Sequence, residues 1–350
     1  MRFIHIADVH LGAVPDKGYP WSEEREKEIW RSFQRVICQV GRTEADLLLI
    51  AGDLFHRQPL KRELKEVNYL FSTIPDTKVI LMAGNHDYLK KDSFYQRFPW
   101  NPNVYCLWGK ECGKVCLEEL DTCIYGLSYY SQEIREPLYD HIRPVRTEGC
   151  TNILLAHGGD EHHIPIHREL LQVAGFDYVA LGHIHKPGKI LGHRGAYAGA
   201  LEPLDRNDTG QHGYVLGECN SSGTTIQFVP FACRSYIPLI ITVDPEDTQL
   251  SVETEIRREI QESGRDNIFQ IFLEGFRDPD LEFVLPDLYK LGNIVEVLDD
   301  TQPDYDFQTI REKYEGSLIG EYVAHFMEKD RTIIENKALY YGLRALLGEE

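Results

Sequence analysis

The chain has 350 residues, of which 42% are hydrophobic and 27% charged. That balance excludes a disordered or fibrous protein, and the length suits two domains or one large domain with an appendage. The net charge of −19 is unevenly spread, since residues 236–350 hold 26 acidic and 11 basic side chains against 30 and 26 in residues 1–235, so it does not exclude a nucleic-acid ligand for the first part.

The opening Met1–Asp8 segment reads as a strand rather than a charged leader followed by an apolar one, and no apolar run reaches the ~20 residues of a membrane helix. A cytoplasmic protein is expected, with neither secretion nor membrane insertion. Ser22 can cap a helix whose apolar positions Ile29, Phe33, Val36, Ile37 and Val40 recur at helical spacing. A continuous apolar run follows at Leu47–Ala51, then a second helical pattern on Leu60, Leu64, Val67, Leu70 and Phe71, then another run at Val79–Ala83. Strand, helix, strand repetition implies a sheet covered by helices, and runs without polar alternation fit strands buried on both faces.

After Cys106 the pieces are shorter: Cys123–Leu127, Ile153–His157, Tyr178–His185 and Gly213–Gly217. They suggest a second sheet packed on the first, giving an α/β fold in which a two-sheet β-sandwich is flanked by helices. Past Pro238 a new unit opens, with a strand at Leu239–Val243, a helix from Thr248 to Glu262, a strand at Ile268–Leu273 and a continuation over Phe283–Leu298. Ser317–Leu347 reads as an amphipathic helical tail with Ile319, Val323, Phe326, Ile333, Ile334, Leu339, Tyr340, Leu343 and Leu346 as its apolar positions. The expected division is 1–235, 236–303 and 304–350. Eight cysteines contain no Cys-x-x-Cys pair and are read as reduced thiols, and the spacing of Cys106, Cys112, Cys116 and Cys123 fits no common structural-zinc pattern.

The chemistry sits at the ends of five apolar runs: Asp8-x-His10, Gly52-Asp53, Gly84-Asn85-His86-Asp87, His157 and Gly182-His183-x-His185. Carboxylate, imidazole and amide ligands suit two borderline-hard divalent ions, Mn²⁺ first, with Fe²⁺ or Zn²⁺ compatible. Strand alternation puts residues i and i+2 on one face, so Asp8 with His10, and His183 with His185, are expected to face one pocket. A single Gly-Asp or a single buried histidine is weak evidence. Seven burial-averse side chains converging at one sheet edge are not explained as ordinary core residues.

This ordered series resembles that of the calcineurin-like metallophosphoesterase superfamily over roughly residues 1–235. The resemblance implies one metal bound by Asp8, His10, Asp53 and His185, and a second by Asp53, Asn85, His157 and His183, with Asp53 bridging. Two dications about 3.5–4 Å apart need a shared carboxylate and hydroxide between them, and that hydroxide would attack phosphorus in line. His86, next to a ligand but not itself one, is assigned as general acid, with Asp87 holding its ring.

Phe3–Gly12, Ala51–His56, Ala83–Asp87, Leu181–Pro187 and Tyr197–Leu204 are more narrowly similar to the signatures of SbcD-type DNA repair exonuclease subunits. That family implies a role for His56 in substrate handling, a small α/β capping domain and C-terminal helices that dock on an SMC-like, SbcC-like coiled-coil ATPase. It also implies a homodimer, with the early helices as an interface. The acidic cap and short C-terminus depart from the family pattern. DNA needs positive potential along its phosphates, and Arg57, Lys61, Arg62 and Lys65, with Lys90, Lys91 and Arg97, follow the two metal-site loops. An ordinary solvated helix face explains them equally well. His162, His163 and His167 are read as loop histidines near the same rim. The alternative function is a phosphodiesterase or phosphatase acting on small nucleotides or phosphoproteins.

Overall fold

The apolar runs become strands of two sheets in a computed structural model, which describes residues 1–145, 147–327 and 331–348. In chain order the first part contains β1 (Arg2–Ile6), α1 (Ser22–Arg42), β2 (Leu47–Ala51), α2 (Lys61–Ser72), β3 (Lys78–Met82), α3 (Phe94–Arg97) and β4 (Val104–Cys106). It continues with β5 (Gly113–Leu117), β6 (Thr122–Gly126), β7 (Thr151–His157), α4 (Arg168–Ala174), β8 (Tyr178–Gly182), β9 (Gly188–Lys189), β10 (Gly195–Tyr197), β11 (Gly213–Asn220) and β12 (Gly223–Pro230). One sheet has the order β12-β11-β1-β2-β3-β4 and the other β5-β6-β7-β8-β10-β9. Strands β1 to β4 are parallel neighbours, as are β6, β7 and β8.

Side-chain alternation sorts the strands between two layers. On β1, Ile4 and Ile6 join Leu48, Ile50, Val79 and Leu81 under the apolar stripe of α1 and α2, including Phe33, Val36 and Phe71. Phe3 points the other way and packs with Leu47, Leu49, Ile124, Ile153 and Tyr178 between the sheets. The outer face of the second sheet buries Leu154, Val179 and Leu181 against Leu171 of α4 and Tyr139. The layers are therefore helix, sheet, sheet, helix. The five site-bearing strands divide between the sheets, β1, β2 and β3 in one and β7 and β8 in the other, instead of sharing one sheet edge.

Two local expectations change. Ser22 is the first helical residue, not the cap; Trp21 stands at the cap position without a side-chain bond, and Ser22 Oγ donates to the Pro15 carbonyl at 2.8 Å. Cys116 and Cys123 face each other across β5 and β6 and form a disulfide, because antiparallel register makes them direct partners; the remaining six cysteines are free. Helix α1 also buries a charge that periodicity does not reveal. Arg25 Nη1 donates to Glu28 Oε2 at 2.6 Å and Glu202 Oε2 at 3.3 Å, and Nη2 donates to the Pro203 carbonyl at 2.6 Å. Glu202 Oε1 accepts from Ser32 Oγ and the Cys233 backbone N–H, so one buried knot ties α1 to two distant loops.

The chain divides into two compact units, Met1–Ile237 and Pro238–Glu350. The second follows on β13 (Tyr236–Val243) and holds α5 (Gln249–Ser263), β14 (Ile268–Arg277), α6 (Leu285–Leu288), β15 (Ile294–Asp299) and β16 (Gln302–Pro303). Thr248 caps α5, its Oγ1 accepting from Ser251 N–H at 3.2 Å. Helices α7 (Phe307–Lys313), α8 (Leu318–Met327) and α9 (Ile333–Leu347) complete it, with Tyr305, Val323 and Leu343 buried together. Ile333 and Ile334 are 80% exposed, so two positions of the apolar stripe are not covered by this unit. Among the described residues no helix is long and apolar enough to cross a membrane.

Candidate metal centre

Of the side chains nominated as ligands, His157 is the last residue of β7 and the others lie just beyond strand ends. β1 stops at Ile6 and β8 at Gly182, so strand alternation does not aim Asp8, His10, His183 or His185. Left-handed backbone aims the first three. Eight described non-glycine residues have positive φ, and four of them are Asp8 (50°), His10 (52°), Asp53 (48°) and His183 (93°). Such conformations cost on the order of 1–3 kcal/mol each and persist only where the surroundings enforce them. The glycines before the ligands are steric necessities: a Cβ on Gly84 would lie 2.3 Å from Asp53 Oδ1, and one on Gly52 would lie 2.4 Å from His157 Nδ1.

Two donor groups result. In one, His10 Nε2 and His185 Nε2 face each other at 3.2 Å with Asp8 alongside and Asp53 Oδ2 at 3.9 Å from His10 Nε2. In the other, Asn85 Oδ1 lies 2.9 Å from His157 Nε2 and 3.2 Å from His183 Nδ1, while Asp53 Oδ2 lies 3.4 Å from His157 Nε2. Asp53 Oδ2 thus stands between the groups, and its Oδ1 accepts from the His86 backbone N–H at 2.8 Å. All seven nominated ligands are brought together.

In three of the four ligand histidines the outward ring nitrogen is held by an acceptor oxygen. His157 Nδ1–H donates to the Ala51 carbonyl at 2.8 Å, His183 Nε2 meets Asp160 Oδ2 at 2.7 Å, and His185 Nδ1 meets Asp208 Oδ2 at 2.9 Å. With those protons directed outward, the inward nitrogens are the ones that face the carboxylate, amide and imidazole groups of the site. Such a set fits divalent cations, which take the place of the inward proton that Asp53, Asp8 and Asp208 favour on His157 and His185, and the outer acceptors fix the tautomer that binding needs. Asp160 and Asp208 were missed by sequence reading; neither lies in a strand-end motif, and only the need of each ligand histidine for an outer partner signals them.

Burial and neighbouring charge divide the carboxyls. Burial raises Asp8 to about 6 although His157 and His185 oppose it. For Asp53 burial also works upward, but the facing His157, His10 and His86 outweigh it and hold the carboxyl well below its usual range. Burial lowers His10 well below its ordinary value and His183 to about 4. His157 and His185 rise to about 9, burial being overcome by Asp53 in the first and by Asp208 and Asp8 in the second.

His86 stands outside both donor groups, partly exposed, at a groove of about 380 Å³ that also touches His10, His56 and His185. Its ring stacks on His56 at 5.0 Å, and its Nδ1–H donates to the His56 carbonyl at 3.2 Å. Asp87 does not hold that ring. It is fully buried, and its oxygens accept from the backbone N–H groups of Gly84 at 2.8 Å and Phe55 at 3.2 Å, bracing the two loops instead; burial and Asp53 push its carboxyl up to about 8. His56 Nδ1 lies 3.3 Å from His10 Nδ1.

The basic residues separate. Arg57 is committed to Glu63 by two bonds of 2.7 and 3.0 Å, which removes it as a free cation. Lys61, Arg62, Lys65, Lys90, Lys91 and Arg97 are exposed, Arg97 beside Asp92 at 4.0 Å. Lys61 lies over the ring of Phe94 at 4.1 Å, and Lys90, Lys91 and Phe94 line one hollow with Gln58 and Pro59. Of the loop histidines, His163 stacks near His183 at 4.5 Å, while His162 and His167 pair with Glu133 and Asp140.

Residues 1–187, more than half of the chain, match the calcineurin-like phosphoesterase family. The chain belongs to that family. It is a metal-dependent phosphodiesterase, of a family built on a dinuclear divalent centre. It is 30% identical over 265 residues to the DNA double-strand break repair protein Mre11 of Methanocaldococcus jannaschii, covering 69% of each chain. It is 25% identical over 326 residues to the protein of that name from Archaeoglobus fulgidus, covering 85% of this chain and 70% of the relative. An uncharacterized metallophosphoesterase, YhaO of Bacillus subtilis, is 28% identical over 247 residues, covering 65% of this chain and 60% of the relative.

Proposed function

We propose that the chain is a DNA nuclease that hydrolyses phosphodiesters at a dinuclear centre and works in DNA repair beside an SMC-like coiled-coil ATPase. The observation that carries this reading is the pair of acceptor sets joined by Asp53, with a groove-side histidine that belongs to neither. Divalent cations bound there, Mn²⁺ foremost, supply activated water at neutral pH and charge neutralisation on the phosphoryl oxygens.

The protein's own residues do the rest. Asp53, kept ionised by its histidine neighbours, holds the two donor sets in register. His86, its Nδ1–H anchored on the His56 carbonyl, has Nε2 left to carry a proton to the leaving oxygen. Asp87 keeps the His86 loop against the Asp53 loop through backbone bonds. DNA as substrate is supported by the relatives' names and by exposed Lys61, Lys90 and Lys91 around Phe94, cations and an aromatic face that suit a single strand, with exposed Arg62 following Lys61 in α2. Residues 236–303 act as the capping domain, and 304–350 as the ATPase-docking helices, for which exposed Ile333, Ile334 and Tyr341 provide apolar contacts.

The test incubates the protein with Mn²⁺ or with a chelator against end-labelled linear and hairpin DNA and against bis-p-nitrophenyl phosphate. DNA digestion that needs metal and is lost in Asp53→Ala is the expected result. His86→Ala should keep metal binding while turnover falls roughly 10²–10⁴-fold; wild-type turnover in that variant refutes the acid role. Cleavage of the small diester with DNA untouched favours a phosphodiesterase of small nucleotides.

A further inference from the structure

A second concavity, separate from the groove at His86, opens between the β9–β10 hairpin and the β11–β12 pair and encloses about 310 Å³. Tyr197, Val215, Ile226 and Phe228 form its apolar walls, and Lys186, Lys189, Thr209 and Gln211 stand around it. Lys186, Lys189, Thr209 and Gln211 are exposed, and neither lysine is paired with a carboxylate among the described residues. The volume lies at the lower end of the roughly 300–1,000 Å³ of ligand pockets, which suits one small molecule and excludes a helix or a strand.

The cleft also belongs to the loops of the metal centre. Lys186 directly follows His185, and Thr209 directly follows Asp208, the outer partner of His185. The His185 carbonyl accepts from the Ala200 N–H at 2.9 Å, fastening the first loop to the segment after β10.

We propose that this cleft is a binding site for one nucleotide, its base against Phe228 and Ile226 and its phosphate at Lys186 and Lys189. A nucleobase has two apolar faces and a polar edge, and the cleft answers with aromatic and aliphatic walls and with an amide and a hydroxyl at the rim. The two lysines supply flexible point charges for the anionic phosphate, a diester within a strand or a monoester on a free nucleotide. The occupant is a nucleotide of the substrate strand, which rests on the nuclease reading above, or a free mononucleotide of the same chemistry.

Calorimetric titration of deoxyadenosine monophosphate into the full chain, with a chelator present, separates the cleft from the metal centre. Binding to the wild type is expected, weakened at least 10-fold in Lys189→Glu and in Gln211→Trp, two exposed positions whose variants should fold, as circular dichroism will verify. Absence of binding to the wild type, or equal binding to both variants, overturns the proposal. With Mn²⁺ added, a 10-fold rise in KM for DNA in both variants, with hydrolysis of bis-p-nitrophenyl phosphate unchanged, identifies the occupant as part of the strand. Unchanged DNA digestion, with a rate that free nucleotide alters in the wild type alone, identifies it as the free species. A wild type that hydrolyses neither substrate refutes the nuclease reading, and the metal-free titration still decides the cleft.

Discussion

His5 carries the prediction that can be worked furthest. It lies on β1, fully buried between the sheets, with Nδ1 3.0 Å from the Tyr178 hydroxyl on β8, so it links the two strands that deliver Asp8, His10, His183 and His185. Burial lowers its pKa from 6.5 to about 3, against a small opposing effect of the Leu181 carbonyl. The folded protein therefore keeps His5 neutral where the unfolded chain protonates it. Its contribution is complete above the unfolded value and is lost as pH falls from 6.5 toward 3, by about 1.4 kcal/mol per pH unit. Between pH 7 and pH 5 that amounts to about 2 kcal/mol, and by pH 4 to about 3. His5→Asn keeps a polar atom toward Tyr178 and cannot titrate. Urea unfolding of both proteins in chelator, at a series of pH values, cancels the histidines they share. The wild type should lose about 2 kcal/mol more than the variant over pH 7 to 5. Parallel stability curves would refute the reasoning, because they require His5 to take up a proton equally in both states.

Asp208→Asn weakens the outer bond to His185 Nδ1 and should lower Mn²⁺ affinity roughly 10–100-fold by calorimetry; unchanged affinity would deny Asp208 its orienting role. Gly84→Ala puts a Cβ 2.3 Å from Asp53 Oδ1 and 2.6 Å from its backbone nitrogen, so metal binding and phosphodiester turnover should both collapse. Arg25→Ala leaves Glu202 buried without its cation, while Glu28 keeps Arg234 at 2.7 Å, and should cost about 3–5 kcal/mol in urea unfolding; a cost under about 1 kcal/mol would mean that water relaxes into the site.

Apolar continuity made the sheets legible, since a strand buried on both faces leaves no other pattern, and Ile29 to Val40 declared α1 by period alone. The ligands were legible for a different reason. Chemistry restricts which residue types can stand at a metal, so Asp8, Asp53 and His157 remain visible wherever the chain carries them. What lay hidden was whatever depends on partners distant in sequence. Asp208 meets His185 across 23 residues and stands in no motif, and Arg25 meets Glu202 across 177, a pairing that the Tyr197–Leu204 motif does not announce. Asp87 was misassigned because adjacency to His86 says nothing about which way a buried carboxylate turns.

The spacing of the ligand motifs has its explanation in backbone strain. Asp8-x-His10 resembles an alternating strand, yet both residues hold positive φ beyond the end of β1, and Asp53 and His183 do the same beyond β2 and β8. A strand continued in regular geometry would keep Asp8 and His10 on one face of its own sheet. The left-handed residues end the strand and turn the side chains into the space between two sheets, where donors from both can share one site. At about 1–3 kcal/mol each, four such residues are a substantial local cost, borne by the packed layers on either side. Bound cations offset part of it, since they favour the folded arrangement alone. Metal should therefore raise the unfolding midpoint of the first unit, and the Asp53→Ala protein should lose that response.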